Sequence, residues 1–210
     1  MLNPPLSLQL REGTQDSHRT AESTPFIRVF FSGKLSISQY RNFLLQLFHI
    51  YSAMEENPEV LYNDPELQKI YFPELFRSLR LSKDLNLFFG KEDWKSIPIL
   101  QTTQEYVDRI RFLNNQKNYA LVAHHYTRYL GDLSGGQAMK KIVLKMFPEE
   151  YHTGISFYEF PEISNFDDFK NEYRSRLDSL SIDVAVGQSM IQEARLAFQF
   201  NTKITGSLLE

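Results

Sequence analysis

Residues 124–137 read HHYTRYLGDLSGGQ, a helix-forming run interrupted by Gly131, Gly135 and Gly136. Glycine inside a helix is about 1 kcal/mol worse than alanine at each position, so the three give up roughly 3 kcal/mol of local preference. On either side, apolar residues keep three- and four-residue steps, and the pattern predicts one helix over about Tyr119 to Met146, bent at the glycines. Whatever this helix touches must compensate for the lost preference.

The rest of the chain is also written in helical periods. A first helix is expected after Pro5, with Ser7 as N-cap, ending near Ser23 because Pro25 pushes Thr24 out of the α region. A second, from about Ser38 to Glu56, carries Tyr40, Phe43, Leu44, Leu47, Ile50, Tyr51 and Met54 as a core-facing stripe. Further helices fit Glu74 to Phe89, Thr103 to Asn114, Phe166 to Leu180 and Ile182 to Thr205, while Pro148 to Pro161 reads as a loop. Ser164 before Asp167 and Asp168 reads as an N-terminal signature. No alternating strand, internal repeat or linker is present, so the expected fold class is all-α: a single compact helical bundle, one domain over 1–210 with short flexible ends at about 1–6 and 206–210.

Composition narrows the function classes. The chain has no cysteine, which excludes disulfides, thiolate metal sites and cysteine nucleophiles. A net charge of −3 argues against nucleic-acid binding, which leaves a basic footprint. No run approaches the ~20 apolar residues of a membrane span, and the N-terminus lacks a secretory pattern. The expectation is a soluble, cytoplasmic protein without a membrane anchor.

Three explanations compete for the glycines. LSGGQ resembles the signature of ABC-transporter ATPases, but no GxxxxGK[ST] occurs, so no nucleotide site can be completed. Close helix packing through small residues remains open, since Gly131 and Gly135 are four apart. So does a bare stretch of backbone lying against a flat, bulky ligand, for which haem is the natural candidate. Arg128 and Asp132 share those turns and suit neither an apolar contact nor a tight crossing; taken alone they read as an i,i+4 surface ion pair worth ~0.3–0.5 kcal/mol.

A haem held by a cysteine-free chain takes histidine as its ligand. His152 falls in the loop, and Glu149-x-x-His152 occurs once where a di-iron bundle needs two such motifs. His49 reads as a core-edge residue, and His125 is given no role. His124 lies on the same helical face as Gly131, so periodicity leaves it in contention. His18, with Glu22 four residues on and Arg11 seven before, lies on one side of the first helix; a carboxylate one turn away would fix the imidazole tautomer.

AHHYTRYLGDLSGGQ, together with SHRTAE, HIYSAMEE, YFPEL at 71–75 and FKNEYRSRLDSL, resembles the haem oxygenase family, in the same order and spacing from about Arg11 to Asn201. The resemblance implies that haem lies between an N-terminal proximal helix and a glycine-kinked distal helix. It makes His18 the proximal iron ligand and Glu22 its partner, puts Gly131 and Gly135 over the other haem face, and makes Asp132 the residue that organises distal water. Tyr51, Tyr126 and Arg128 match the surrounding polar network, and Lys170 and Arg174 match residues that bind the propionates. Arg11 stands where relatives often carry lysine, keeping the charge but not the geometry.

The activity so implied is oxidative opening of haem, at once substrate and cofactor, to biliverdin of the α isomer, carbon monoxide and ferrous iron, using O2. No other cofactor is expected on this chain, so electrons must come from an external donor, a ferredoxin or a flavoprotein reductase, docking near Lys140, Lys141 and Lys145. The alternatives are a non-catalytic haem-binding or haem-buffering protein of the same fold, and a ligand-free helical interaction module.

Overall fold

A computed structural model of the chain describes residues 4–209. Along it run the helices α1 (Leu6–Gly13), α2 (Gln15–Glu22), α3 (Pro25–Phe31), α4 (Ile37–Glu55), α5 (Glu59–Tyr62), α6 (Ser78–Phe89), α7 (Gln101–Asn115), α8 (Leu121–Asp132), α9 (Gly135–Met146), α10 (Phe166–Asp178) and α11 (Val184–Ser207). There is no strand among the described residues, and no helix is long and apolar enough to cross a membrane.

The predicted stripe of α4 is its buried face, from Tyr40 to Met54. Its start is a capping box one residue earlier than expected: Ser36 Oγ accepts from Gln39 N at 3.1 Å, and Gln39 Oε1 accepts from Ser36 N at 3.0 Å. α4 packs on α6 and α7 and forms the floor of the molecule. α11 packs along α8, α7, α1, α2 and α3 and forms its spine.

Two expected helices are interrupted. The first breaks at Thr14, whose side chain turns back to Leu10 O at 2.7 Å while its backbone leaves the helical region, at φ −112° and ψ 1°. Arg11 therefore ends one helix and His18 belongs to the next. Ser7 is no N-cap: it lies inside α1, where its N and Oγ both donate to the Asp178 carboxylate of α10, at 2.7 and 2.8 Å. Pro25 does end α2, and it opens a helix the periodicity did not announce, α3, with Thr24 as cap.

The second interruption is at the glycines. The expected continuous helix over Tyr119 to Met146 is broken outright between Asp132 and Gly135, with Ser134 at φ −114° and ψ −88°. α10 is capped by Asn165 rather than Ser164; its Oδ1 accepts from Asp167 N at 2.9 Å and Asp168 N at 3.3 Å. The loop over 148–161 contains two 3-10 turns, and Asp84 of α6 fastens the second by accepting from Ser156 N at 2.9 Å and Phe157 N at 2.7 Å.

The short α1 is clamped from both ends. Beyond the Asp178 contact, Arg195 Nε of α11 donates to Gly13 O at 2.6 Å. A β-carbon at Gly13 would lie 2.6 Å from Ile191 Cγ2, so only glycine allows this approach. α2 is different, since none of its residues is buried. It rests on α11, with lesser contacts to α1 and α3.

Candidate active site

His18 stands on the exposed helix α2. Its Nδ1 lies 3.3 Å from Glu22 Oε2, and its ring meets Phe198 of α11 edge-on at 5.6 Å. No other described residue bonds the ring, so Nε2 is free to ligate. The expected pairing with Glu22 is thus present, and the carboxylate, an acceptor, favours the tautomer with hydrogen on Nδ1.

Three residues further along α11, Asn201 Oδ1 accepts from Arg128 Nη1 at 2.8 Å. One turn of α11 therefore ties His18 and the end of α8 to the same stretch of the molecule. At that end the backbone is bare: Gly131 and Gly135 are exposed, and a β-carbon on either would meet nothing within 4 Å. Close helix packing does not explain these two glycines. Gly136 differs, being buried against Tyr158 and Asp132.

Arg128 and Asp132 are no surface pair. Asp132 is buried and Arg128 largely so, and the buried Tyr51 hydroxyl stands between them, accepting from Arg128 Nε at 3.1 Å and donating to the Asp132 carboxylate. Burial pushes the Asp132 carboxyl up to about 6, against the pull of Arg128, the Tyr51 hydrogen bond and Arg77. A carboxyl there holds or releases a proton near neutral pH.

Behind this network lie residues that sequence reasoning did not single out. Glu55 accepts from Tyr129 Oη at 3.0 Å and caps α6 through Arg77 N at 2.7 Å and Ser78 N at 2.9 Å. The Arg77 guanidinium is buried among the carbonyls of Glu74, Leu75, Phe157 and Glu159 and lies over the Phe160 ring at 3.9 Å. Gln137 Nε2 donates to Tyr158 O at 3.0 Å and Asp132 O at 3.3 Å, fastening the break to the 156–158 turn. A buried arginine in the sequence carries no local signal; only the surrounding carbonyls disclose its role.

Of the other expected residues, Tyr126 has its hydroxyl raised by burial, against the charges of Arg174 and Arg11. Arg11 of α1 and Arg174 of α10 thus set positive charge toward the phenol on α8, which suits a carboxylated ligand edge. Lys170 is engaged with Asp167 at 2.8 Å, and Arg174 Nη1 donates to Asn171 Oδ1 at 3.2 Å. His124 leaves contention as an iron ligand, because both its ring nitrogens are occupied deep in the core by Tyr106 and Glu193. His125 is buried with an unpartnered Nε2, and burial with the neighbouring His124 pushes it down to about 3. His152 Nε2 donates to Phe147 O at 3.0 Å, in the loop as expected. Lys140 pairs with Glu159 at 3.2 Å, while Lys141 and Lys145 are exposed.

Residues 4–206 match the family model described as Heme oxygenase. The chain belongs to the haem oxygenase family. It is 42% identical to the haem oxygenase of Porphyra purpurea over 201 residues, covering 95% of this chain and 84% of that protein. Its fold superposes on the haem oxygenase structure from Leptospira interrogans with a TM-score of 0.91 and 41% identity, over 97% and 99% of the two chains. The structure of haem oxygenase-1 from Synechocystis sp. PCC6803 in complex with haem gives 0.89 and 40%, over 98% and 95%. As a haem oxygenase the chain has the all-helical architecture its periodicity implied, and the residues just described fit a haem: a bare glycine wall, an imidazole with a free nitrogen, and a cationic corner.

Proposed function

We propose that this haem oxygenase seats haem between α2 and the α8–α9 break, with His18 Nε2 on the iron, and opens it to biliverdin of the α isomer, carbon monoxide and ferrous iron. The observation that carries this is the open space over Gly131 and Gly135, while the end of α8 and His18 both rest on one turn of α11, through Arg128–Asn201 and His18–Phe198. Haem, when bound, supplies the redox-active iron and is itself the molecule oxidised.

The chain's own residues do the rest. Glu22 holds the His18 ring by Nδ1. Gly131 and Gly135 admit a macrocycle to the backbone and put no ligating side chain against it. Asp132, poised near neutral pH and oriented by Tyr51, holds or hands over a proton through ordered water. Arg128 keeps the charge of that carboxylate paired inside the protein. Arg11, Tyr126, Lys170 and Arg174 receive the propionates, and Lys170 exchanges Asp167 for a ligand carboxylate when it does so.

Electrons come from outside the chain. Lys141 and Lys145, with Lys140 beside them, form the face on which an acidic donor, a ferredoxin or a flavoprotein reductase, would dock. The cytoplasm is the proposed compartment. Haemin titration followed by addition of ferredoxin, its reductase and air tests the whole reading. A Soret band that bleaches with formation of biliverdin supports it; a band that persists leaves only haem buffering, and no band removes the haem site.

A further inference from the structure

The helix α1 has 8 residues, too few to be stable alone, and its start has no cap of its own: Pro5 precedes it without a side-chain acceptor. The acceptor comes from another helix. Asp178, at the last position of α10, takes the Ser7 N–H on Oδ1 at 2.7 Å and the Ser7 hydroxyl on Oδ2 at 2.8 Å, so both carboxylate oxygens serve one residue. At the other end Arg195 of α11 donates from Nε to Gly13 O at 2.6 Å. An anion at the start and a cation at the end both suit the helix dipole, and neither belongs to α1.

Each tie stands one turn from a residue of the cleft. On α1, Arg11 follows Ser7 by four residues; on α10, Arg174 precedes Asp178 by four. Each cation therefore shares a helix face with its end of the Ser7–Asp178 rung. Arg195 stands three residues before Phe198, the ring that meets His18 edge-on.

Cohesion does not need the rung. Leu6 and Leu10 are buried, and a β-carbon at Gly187 of α11 would lie 3.8 Å from Leu6 Cδ1. Apolar burial holds α1 on the molecule but is non-directional, so it leaves the register of α1 along α10 to the polar contact. The end of α10 is itself fastened: Lys69 Nζ donates to Ser179 O at 3.0 Å, and Glu66 Oε2 accepts from Ser181 N at 2.6 Å. The rung thus ties α1 to an anchored point.

We propose that Asp178 is a positioning residue for the carboxylate edge of the ligand: its bonds to Ser7 set the register of α1 on α10, and with it the place of Arg11 relative to Arg174, so that the two cations meet the haem propionates as a pair. Asp178 touches no ligand and acts through Arg11. The inference rests on the seating of haem proposed above.

The experiment follows haemin leaving the loaded full chain for excess apomyoglobin, with amide hydrogen exchange of α1 in the haem-free chain alongside. Asp178→Ala should quicken exchange over residues 7–10 and speed haemin loss by about threefold or more, as Arg11→Ala should. The double variant should lose haemin no faster than Arg11→Ala, because Asp178 acts through that side chain. Haemin dimethyl ester, which has no free carboxylate, should leave the Asp178→Ala and unaltered proteins at the same rate. Quickened exchange with unaltered haemin loss, multiplied rates in the double variant, or equal acceleration with the ester would overturn the proposal and leave Asp178 a cap alone. Should Asp178→Ala fail to fold, Ser7→Ala, which removes only the hydroxyl bond, decides by the same readings. Haemin loss unchanged in Arg11→Ala would tell against the proposed seating itself, and would take this inference with it.

Discussion

The hydroxyl of Tyr51 on α4 donates to the carboxylate of Asp132 at the end of α8, across 81 residues of sequence, and the same oxygen accepts from Arg128. One phenol thus serves a cation and an anion that would otherwise be buried without a common partner. Tyr51→Phe keeps the ring and removes both bonds. Urea denaturation should register a loss of about 1–3 kcal/mol, and the Asp132 carboxyl should titrate higher because a bond that favours its charged form is gone. Unchanged stability would mean that neither group depends on the hydroxyl.

Gly131→Ala offers a test in which two readouts move in opposite senses. Its β-carbon meets nothing in the haem-free fold, so stability should hold or rise by up to ~1 kcal/mol through helix propensity. Haemin affinity, followed by the Soret band, should fall at least tenfold, and Gly135→Leu should fall further. A variant that is stabilised and still binds haemin normally would move the haem away from this wall.

His18→Ala removes a half-exposed ring from a helix with no buried residue, so stability should change by no more than about 0.5 kcal/mol. Iron ligation should be lost all the same, and exogenous imidazole should restore both the Soret band and turnover. Normal ligation in the variant would transfer the iron to another donor.

The pH dependence of stability carries a signed prediction. Asp132 is pushed up to about 6 by burial, so from roughly pH 4 to 6 the folded state holds a proton that the unfolded chain has released. Stability contributed by that proton is present below the ordinary aspartate range and is lost as pH rises through 6. Buried His125, pushed down to about 3, acts in the opposite sense, so the measurement is the difference between variant and unaltered protein. Asp132→Asn should gain on the unaltered protein as pH rises across that window, by on the order of 1 kcal/mol or more. A difference independent of pH would place the Asp132 carboxyl at its ordinary value.

What the sequence disclosed follows the range of the interactions. The α4 stripe, the glycine spacing and the His18–Glu22 pair are local, one or two helical turns, and each is where periodicity put it. The breaks at Thr14 and Ser134 were not legible as breaks: the first depends on a threonine turning onto its own helix, the second on packing against the 156–158 turn. Taken by themselves Arg128 and Asp132 read as a surface pair, because the residue between them, Tyr51, comes from another helix. His124 misread as a possible ligand for the same reason, since Tyr106 and Glu193 lie on α7 and α11. Helix period says which residues share a face and nothing about which partner that face will meet.

Both α2, which carries His18, and α8, which carries Arg128, lean on α11, and α11 follows every other helix among the described residues. A nascent chain that has not yet released those 24 residues from the ribosome has neither Phe198 behind His18 nor Asn201 behind Arg128. On the seating proposed above, haem capture would wait until α11 is made, so that a half-made polypeptide would not hold a reactive iron porphyrin.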